Sequence, residues 1–372
     1  MTTFSRLFIK KVRGERHDLE GRMFDLMNGH SHIDMLDFPE LTKAYLGLCP
    51  QPFDKALRSA PRSSVDLADS WGRTTLHWAS RSDDSEAVGQ LIRCGADPNK
   101  SDTLGRTSLH ASIYGGSRCL ELLLCAKADV ELKGVDGQTV MHYLSAYGWD
   151  TTNLDLLLRY GANIEATNRI GETPLDLAVA EDNHLMVSGL LERGANINAR
   201  ATNGWTCIHR ALYYHSHNSL RILLDNTGLH YNVKLDEGWT LLRFAALYAD
   251  IESLYILMSK PLYELDIAEE DVYGWTVLEL AQYRRLKNEK WSRRYGRPRD
   301  NDPTEWYYAF EELLNSIIDA QTSMAGSIDD EASEEDMAGN EVPRSTADEN
   351  YEDDGDENES WEDAQDDLGG QS

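Results

Sequence analysis

Long apolar segments are absent from this sequence of 372 residues, and cysteines and basic residues are few. No apolar run approaches the ~18 residues that a membrane-spanning helix needs, so no membrane partner is predicted. The five cysteines are odd in number and form no Cys-x-x-Cys pair, which argues against a disulfide framework and favours a reducing, intracellular setting. The net charge of −28 argues against direct nucleic-acid binding, because that requires a basic footprint.

The acidic residues are concentrated at the C-terminal end of the chain. Residues 321–372 contain 19 Asp or Glu and one basic residue, Arg344, for a charge of −18, so the preceding residues carry only −10. A segment with this much charge and so few apolar residues is predicted to be a disordered acidic tail. At the other end, residues 1–35 lack the apolar core and cleavage site of a secretory signal. We interpret them as a frayed amphipathic segment, with a mitochondrial presequence as the alternative.

A repeated pattern, Gly-x-Thr-x-apolar, occupies the middle of the chain at spacings of 32 to 36 residues. A usually small residue follows seven positions after each glycine. Leu at +4 and Ala at +7 share one helix face, and the Thr at +2 is placed to cap that helix. Each copy is therefore predicted to form helix, loop, helix and turn, and the copies must stack because one alone cannot bury its apolar face. The glycines are Gly72, Gly105, Gly137, Gly171, Gly204, Gly238 and Gly274.

The segments "GRTTLHWA" and "GRTSLHAS" resemble the Thr-Pro-Leu-His-x-Ala core of the ankyrin repeat. The resemblance extends over residues 69–283, in about seven repeats. The array is similar to the ankyrin arrays common in filamentous fungi. It implies an all-α ankyrin-repeat solenoid. Residues 36–68 resemble a degenerate capping repeat. Residues 284–320 are predicted to contain a basic segment and an amphipathic C-terminal capping helix, because a solenoid must cover its last apolar face.

The segment "GWTCIHRALYYH", residues 204–215, gathers side chains that could suggest a catalytic or metal site. Its His209 stands at the histidine position of the ankyrin core, which the family uses for hydrogen bonds between repeats. Cys207 occupies a small packing position. His215 and His217 are expected to lie in a loop without carboxylate or thiolate company, which makes a metal site a weak hypothesis. The other histidines at that core position are His77, His110 and His142.

No catalytic role is predicted for the chain, because no Gly-rich phosphate loop, metal-ligand spacing or nucleophile–base pair is found outside the repeat pattern. We therefore expect no enzyme, no metal and no cofactor. The alternative class, an enzyme, is disfavoured on these grounds.

Binding is predicted instead at three columns of the repeat, +1, +9 and +10, which in ankyrin arrays line the hairpin fingers and the concave groove. These columns are rich in Trp and Tyr, which are enriched at binding hot spots. The alternative is that the rings pack against one another. Repeat four, with Glu172, Ala180 and Glu181, interrupts this aromatic ladder and divides it into two sub-sites. The predicted partner-binding residues are Trp71, Tyr114, Tyr147, Trp205, Tyr213, Tyr214, Trp239, Tyr248, Trp275 and Tyr283.

The function predicted from these observations is a monomeric, non-catalytic adaptor or scaffold that binds another protein in the cytoplasm. The alternative is a nuclear or transcriptional regulatory ankyrin protein, which includes an accessory role in a fungal specialised-metabolite (mycotoxin) pathway. That alternative depends on residues 284–299, which hold eight Lys or Arg and one acid, as an import signal. A solvated segment that docks the acidic tail is the interpretation we favour for these residues.

Overall fold

The computed structural model describes residues 37–235, 239–270, 274–286 and 303–335, with side chains up to residue 324. A compact unit ends at Met324, and a second unit begins at Ala325. The described residues form α-helices without extended strands, as the sequence predicts. In chain order the helices are α1 Glu40–Tyr45, α2 Phe53–Ser59, α3 Thr75–Arg81, α4 Ser85–Arg93, α5 Ser108–Ser112, α6 Ser117–Cys125, α7 Val140–Tyr147, α8 Thr152–Arg159, α9 Pro174–Ala180, α10 His184–Glu192, α11 Cys207–Tyr214, α12 His217–Asp225, α13 Leu241–Tyr248, α14 Ile251–Met258, α15 Val277–Leu286 and α16 Pro303–Glu335.

The first helix of a repeat begins directly after the Thr at +2, which caps it. Before α3, the Thr74 side chain accepts from the backbone N–H of His77, and the Nδ1 atom of His77 accepts from the backbone N–H of Thr74 at 3.1 Å. Repeat four uses Asp176 in the place of this histidine, with its carboxylate 2.9 Å from the backbone nitrogen of Thr173. The predicted Thr caps are therefore confirmed, and in repeats one to five the residue three positions later completes the capping box. In repeat six this residue is Arg243, whose backbone N–H donates to the side chain of Thr240.

Backbone hydrogen bonds join the successive hairpins of repeats one to five. The N–H of Thr103 donates to the carbonyl of Trp71 at 2.9 Å, and the N–H of Val135 donates to the carbonyl of Leu104 at 2.8 Å. Gly72 has a φ of +75°, and a Cβ there would lie 2.9 Å from the backbone nitrogen of Thr103. At Gly72, Gly105, Gly137 and Gly171, glycine is thus required both for a left-handed backbone and for the close approach of the next hairpin.

The hydrophobic core runs as one cluster from α1 to α16. The +4 side chains Leu76, Leu109 and Ile208 are fully buried, and so are the small +7 residues Ala79 and Ala211. Small residues at +7 let neighbouring repeats approach closely, so each repeat buries the apolar face of the next.

The long helix α16 covers the last repeat. Trp306 is fully buried, and its indole N–H donates to the carbonyl of Ala249 at 2.9 Å. Phe310, Leu313 and Ile317, which the sequence places on one face, are buried with it. The helix continues past residue 320, where the sequence analysis ends the capping segment, to Glu335. The rest of the predicted tail, residues 336–372, and the N-terminal segment lie outside the described residues.

Arg284 shows that part of the predicted basic segment serves the fold. Its guanidinium carbon lies 3.8 Å from the Trp306 ring centroid, and its Nη1 donates to the carbonyl of Ala246 at 2.9 Å. The interpretation of Arg284 as one residue of a solvated patch is wrong, because α16 encloses this side chain. Most of the remaining segment, residues 287–299, lies outside the described residues.

None of the helices in the described ranges combines the length and the apolar character that a membrane crossing requires.

Candidate functional site

The fold brings together the positions that the sequence analysis selects. The +1 residue stands between the left-handed glycine and the capping Thr, while the +9 and +10 residues lie at the end of the first helix. In repeat five these positions hold Trp205 and Tyr213, whose ring centroids are 5.0 Å apart. Trp275 and Tyr283 meet in the same way in repeat seven, at 5.7 Å. We call the surface formed by these columns the groove face.

Five aromatic rings of repeats five and six form what we call the central aromatic cluster: Trp205, Tyr213, Tyr214, Phe244 and Tyr248. Tyr213 lies 5.0 Å from Tyr214 and 5.2 Å from Tyr248, and Phe244 lies 5.0 Å from Trp205 and 4.7 Å from Tyr248, all between centroids. Phe244 is fully buried at the base of the cluster, whereas Tyr214 is 46% exposed. The cluster is therefore anchored in the core and presents one ring to solvent.

A buried ionic network lies beside this cluster and joins repeats four and five. The guanidinium of Arg210 contacts Glu172 at 2.5 Å and Asp176 at 3.0 Å, and its side chain is only 4% exposed. It also lies 6.0 Å from the ring centroid of Trp205. Burial raises the pKa of Asp176 above its usual value even though Arg210 opposes this. The acidic residue that interrupts the ladder in repeat four, Glu172, is thus one partner of this network.

The other predicted aromatic residues fall into separate groups. Tyr114 and Tyr147 stack with centroids 6.0 Å apart, and the guanidinium of Arg81 lies 4.8 Å from the Tyr114 ring. Trp71 is 44% exposed at a hairpin tip, with the Arg73 guanidinium 4.8 Å from its ring.

Trp239, in the same +1 column as Trp205, is likewise partly buried against the hydrophobic core. The Tyr114–Tyr147 pair, the central aromatic cluster and the Trp275–Tyr283 pair follow one another in chain order along the groove face.

The residues of the core histidine position have structural roles. The Nε2–H groups of His77 and His142 donate to the carbonyls of Arg106 and Glu172 in the following repeats, at 3.1 and 3.0 Å.

Cys207 is buried with its Sγ 3.0 Å from the carbonyl oxygen of Ile197, and burial raises the pKa of this thiol. A thiol held in this neutral form is not a nucleophile.

His215 and His217 are not isolated from carboxylates. His217 contacts Asp250 through Nε2 at 2.9 Å and Glu252 through Nδ1 at 3.1 Å, and His215 lies 3.5 Å from Asp250. The expectation that these imidazoles lack carboxylate company was wrong, because the partners come from the next repeat, more than 30 residues away. Within the described residues, no group of three or more His, Cys, Asp or Glu is arranged to hold a metal ion.

Two sets of residues, one buried beneath the groove face and one exposed, were missed by the sequence analysis. The first is the +6 column, which shares a helix face with +9 and +10. It supplies Phe244 and Arg210, and comparing every column within three or four residues of +9 and +10 would have found it. The second set is exposed at the hairpin tips, one or two residues before the glycine. It consists of Leu104, Val135 and Ile170, which are 47%, 47% and 57% exposed.

Comparison with known proteins identifies the repeats of residues 53–235. The family described as Ankyrin repeats matches in three overlapping copies, at residues 53–134, 126–201 and 142–235. SH3 and multiple ankyrin repeat domains protein 2 of Homo sapiens is 34% identical over 175 residues, which are 45% of this chain and 9% of that protein. Putative palmitoyltransferase ZDHHC13 of Danio rerio is 34% identical over 147 residues, 38% of this chain and 22% of that protein.

Among solved structures, the ankyrin repeat domain of Bcl-3, described as a unique member of the IkappaB protein family, matches with a TM-score of 0.48 and 26% identity. The match covers 59% of this chain and 98% of that one. The two relatives above are matched over less than a quarter of their own length.

Proposed function

The chain belongs to the ankyrin-repeat family, whose repeats bind other proteins, and we propose that it is a non-catalytic adaptor or scaffold that binds its partner on the groove face. The observation that carries this proposal is the central aromatic cluster. It places a half-exposed tyrosine, Tyr214, on partly buried rings that the core holds in place. Rigid aromatic side chains contribute much contact area to an interface at little entropic cost.

The ionic network supports the same conclusion. Arg210, in the same helix as Tyr213 and Tyr214, forms ion pairs with Glu172 and Asp176 of repeat four. The position of the aromatic cluster is therefore stabilised by ion pairs as well as by packing. A surface that is ordered before binding loses less conformational entropy when a partner arrives. Putative palmitoyltransferase ZDHHC13 of Danio rerio is matched over only 22% of its length, so its name gives no ground for assigning a reaction to this chain.

Tyr214→Ala is expected to remove the chain's partners in a tagged pull-down from the native host, read by mass spectrometry. Its ring protrudes from the cluster, so its loss should weaken binding by about tenfold or more while the fold is kept. The matched control is Tyr255→Ala, which removes a tyrosine of similar exposure, 51%, from the second helix of repeat six.

Circular dichroism must show both variants to be as helical as the wild type. Loss of a defined set of proteins with Tyr214→Ala, and their retention with Tyr255→Ala, supports the groove face as the interface. If both variants retain the same proteins, the cluster is packing and the proposed interface is incorrect.

We place the site of action in the cytoplasm, with the nucleus as the alternative. A fluorescent fusion distinguishes the two compartments when the Lys and Arg of residues 287–299 are replaced by Gln. Arg284 and Arg285 are kept, because they lie over the rings of Trp306 and Tyr307 on α16. Nuclear accumulation of the wild type that is lost in the Gln variant favours the regulatory alternative. A cytoplasmic distribution of both proteins supports the cytoplasmic adaptor.

A further inference from the structure

A positively charged pocket opens on the groove face of the first two repeats, away from the central aromatic cluster. Three guanidinium groups line it: Arg73 and Arg106 from the +1 column, and Arg81 from the end of α3. Asp102 is the one carboxylate of the lining, and the rings of Trp78, Tyr114 and Tyr143 are its aromatic part. The charge excess of this lining is positive, although the chain as a whole carries −28.

The fold holds these guanidinium groups in fixed positions. Asp102 accepts from Nε and Nη2 of Arg106 at 3.0 and 2.7 Å, and it lies 3.7 Å from Nε of Arg73. Its other oxygen accepts the backbone N–H groups of Leu104 and Arg106, both at 2.9 Å. The Arg81 guanidinium lies over the Tyr114 ring. The donors of the pocket are therefore oriented before any ligand arrives, which favours planar, two-point recognition of an anion.

The electrostatics of the pocket also favour an anion. Burial, and then repulsion from Arg106 and Arg81, lowers the pKa of Arg73. His110 lines the same pocket, and burial lowers its pKa to about 4, so it adds no charge at neutral pH. Like charges held close together in a half-buried place are stabilised by an anion between them.

The size of the pocket and its surroundings indicate the kind of anion. Its volume of about 30 Å³ accommodates a few atoms, well below the several hundred Å³ of a typical metabolite site. Two exposed apolar side chains, Trp71 and Leu104, stand beside it on adjacent hairpin tips, 44% and 47% exposed. Arg73 joins the two features, because it lines the pocket and also lies 4.8 Å from the Trp71 ring.

We propose that this pocket takes the carboxylate of an Asp or Glu from a partner's peptide, while Trp71 and Leu104 contact a large apolar residue next to that acid. The inference rests on the proposed function, since it names the chemistry of a partner segment on the same groove face. The central cluster in repeats five and six is then a second contact area, and an acidic-apolar segment is selected at repeats one and two.

The test begins with a library of random short peptides displayed on phage and selected on the full chain. Enriched peptides are expected to share an Asp or Glu beside a large apolar residue. Arg73→Gln/Arg81→Gln should weaken the affinity for the synthesised peptides by about tenfold or more, as measured by fluorescence anisotropy, because charge-assisted hydrogen bonds are lost. This double variant leaves the Asp102–Arg106 pair in place.

Two controls isolate the pocket. Arg118→Gln/Arg221→Gln makes the same charge change on the second helices α6 and α12, where both side chains are at least half exposed, and should leave the affinity unchanged. Replacing the peptide's acid by its amide should weaken binding to the wild type as much as the pocket substitutions do. It should have little further effect on the double variant, as expected for two groups in direct contact.

Enriched peptides without an acidic residue, or equal binding by Arg73→Gln/Arg81→Gln, overturn the pocket proposal. If such peptides are instead lost with Tyr214→Ala, the adaptor function stands and only the pocket assignment fails. If the wild type enriches no peptide, the pocket proposal fails. If Tyr214→Ala also leaves every captured partner in place, the proposed groove interface fails separately.

Discussion

Replacing Arg210 with alanine is expected to lower the free energy of unfolding by about 3–5 kcal/mol. Arg210 is 4% exposed and is the cation that faces both Glu172 and Asp176 in the network between repeats four and five. Its removal leaves two carboxylates in a buried place without their ion pair. The pKa of Asp176, already raised by burial, should rise further when the opposing guanidinium is gone.

Arg193→Ala provides a control with the same kind of connection between repeats. Arg193 pairs with Asp155 through two hydrogen bonds of 2.7 and 2.8 Å, but Asp155 is 55% exposed. Solvent screens this pair, so its loss should lower the free energy of unfolding by less than about 1 kcal/mol. Both variants are compared with the wild type by urea unfolding followed by far-ultraviolet circular dichroism.

A second comparison separates the buried charges from packing. Arg210→Met/Glu172→Gln removes the cation together with one of the two carboxylates, and should recover a large part of the stability lost in Arg210→Ala. Similar losses for Arg210→Ala and Arg193→Ala would show that burial of the network does not govern its contribution. Because Arg210 also lies beside Trp205, we further expect Arg210→Ala to weaken the partner binding proposed for the central aromatic cluster.

The repeat pattern predicted the fold because each rule it uses acts within one repeat. Thr74 caps α3 through His77, three residues away, and Gly72 adopts the left-handed backbone that its hairpin needs. Such local contacts recur with the period of the sequence, so aligning the seven copies is sufficient to find them. The core could be predicted for the same reason, since +4 and +7 share one face of each first helix.

The contacts of the candidate site could not be predicted in this way, because they join residues that the period separates. Arg210 reaches Glu172, and His217 reaches Asp250, across more than 30 residues. A single sequence shows which residue occupies each column but not which neighbour its side chain meets. Trp205 illustrates this: its place in the +1 column does not show that its ring meets Phe244 and Tyr248 of the next repeat.

The stability of the array is expected to fall between pH 7 and pH 5 because of its buried histidines. Burial lowers the pKa of both His110 and His209 to about 4, from an ordinary value of 6.5. The unfolded chain therefore binds more protons than the folded one below about pH 6.5. The stability linked to these groups is fully present above that pH and is lost as the pH falls towards 4. Each histidine contributes a loss of roughly 2 kcal/mol at pH 5, so the two together account for about 4 kcal/mol.

The geometry of the capping boxes gives a further reason for these low values. In His110 the Nδ1 atom lies 3.1 Å from the backbone nitrogen of Thr107, whose N–H it accepts, and in His209 it lies 3.3 Å from that of Thr206. A proton added at Nδ1 would face this N–H, so charging the ring would break the cap. The ordinary pKa of a histidine, 6.5, lies within the interval from pH 5 to pH 7, whereas the ordinary values of Asp and Glu, about 4, lie below it.

His110→Gln/His209→Gln should flatten this dependence. Glutamine at this position retains the capping box but does not titrate, so the difference in unfolding free energy between pH 7 and pH 5 should shrink by about 4 kcal/mol. The control is His184→Gln, at the exposed start of α10, which should leave the dependence as it is in the wild type. The pH dependence of each variant is measured from its urea unfolding midpoints at pH 7 and pH 5. If the double variant loses as much stability as the wild type on acidification, the destabilising protons bind elsewhere, and these histidines do not couple the array to pH.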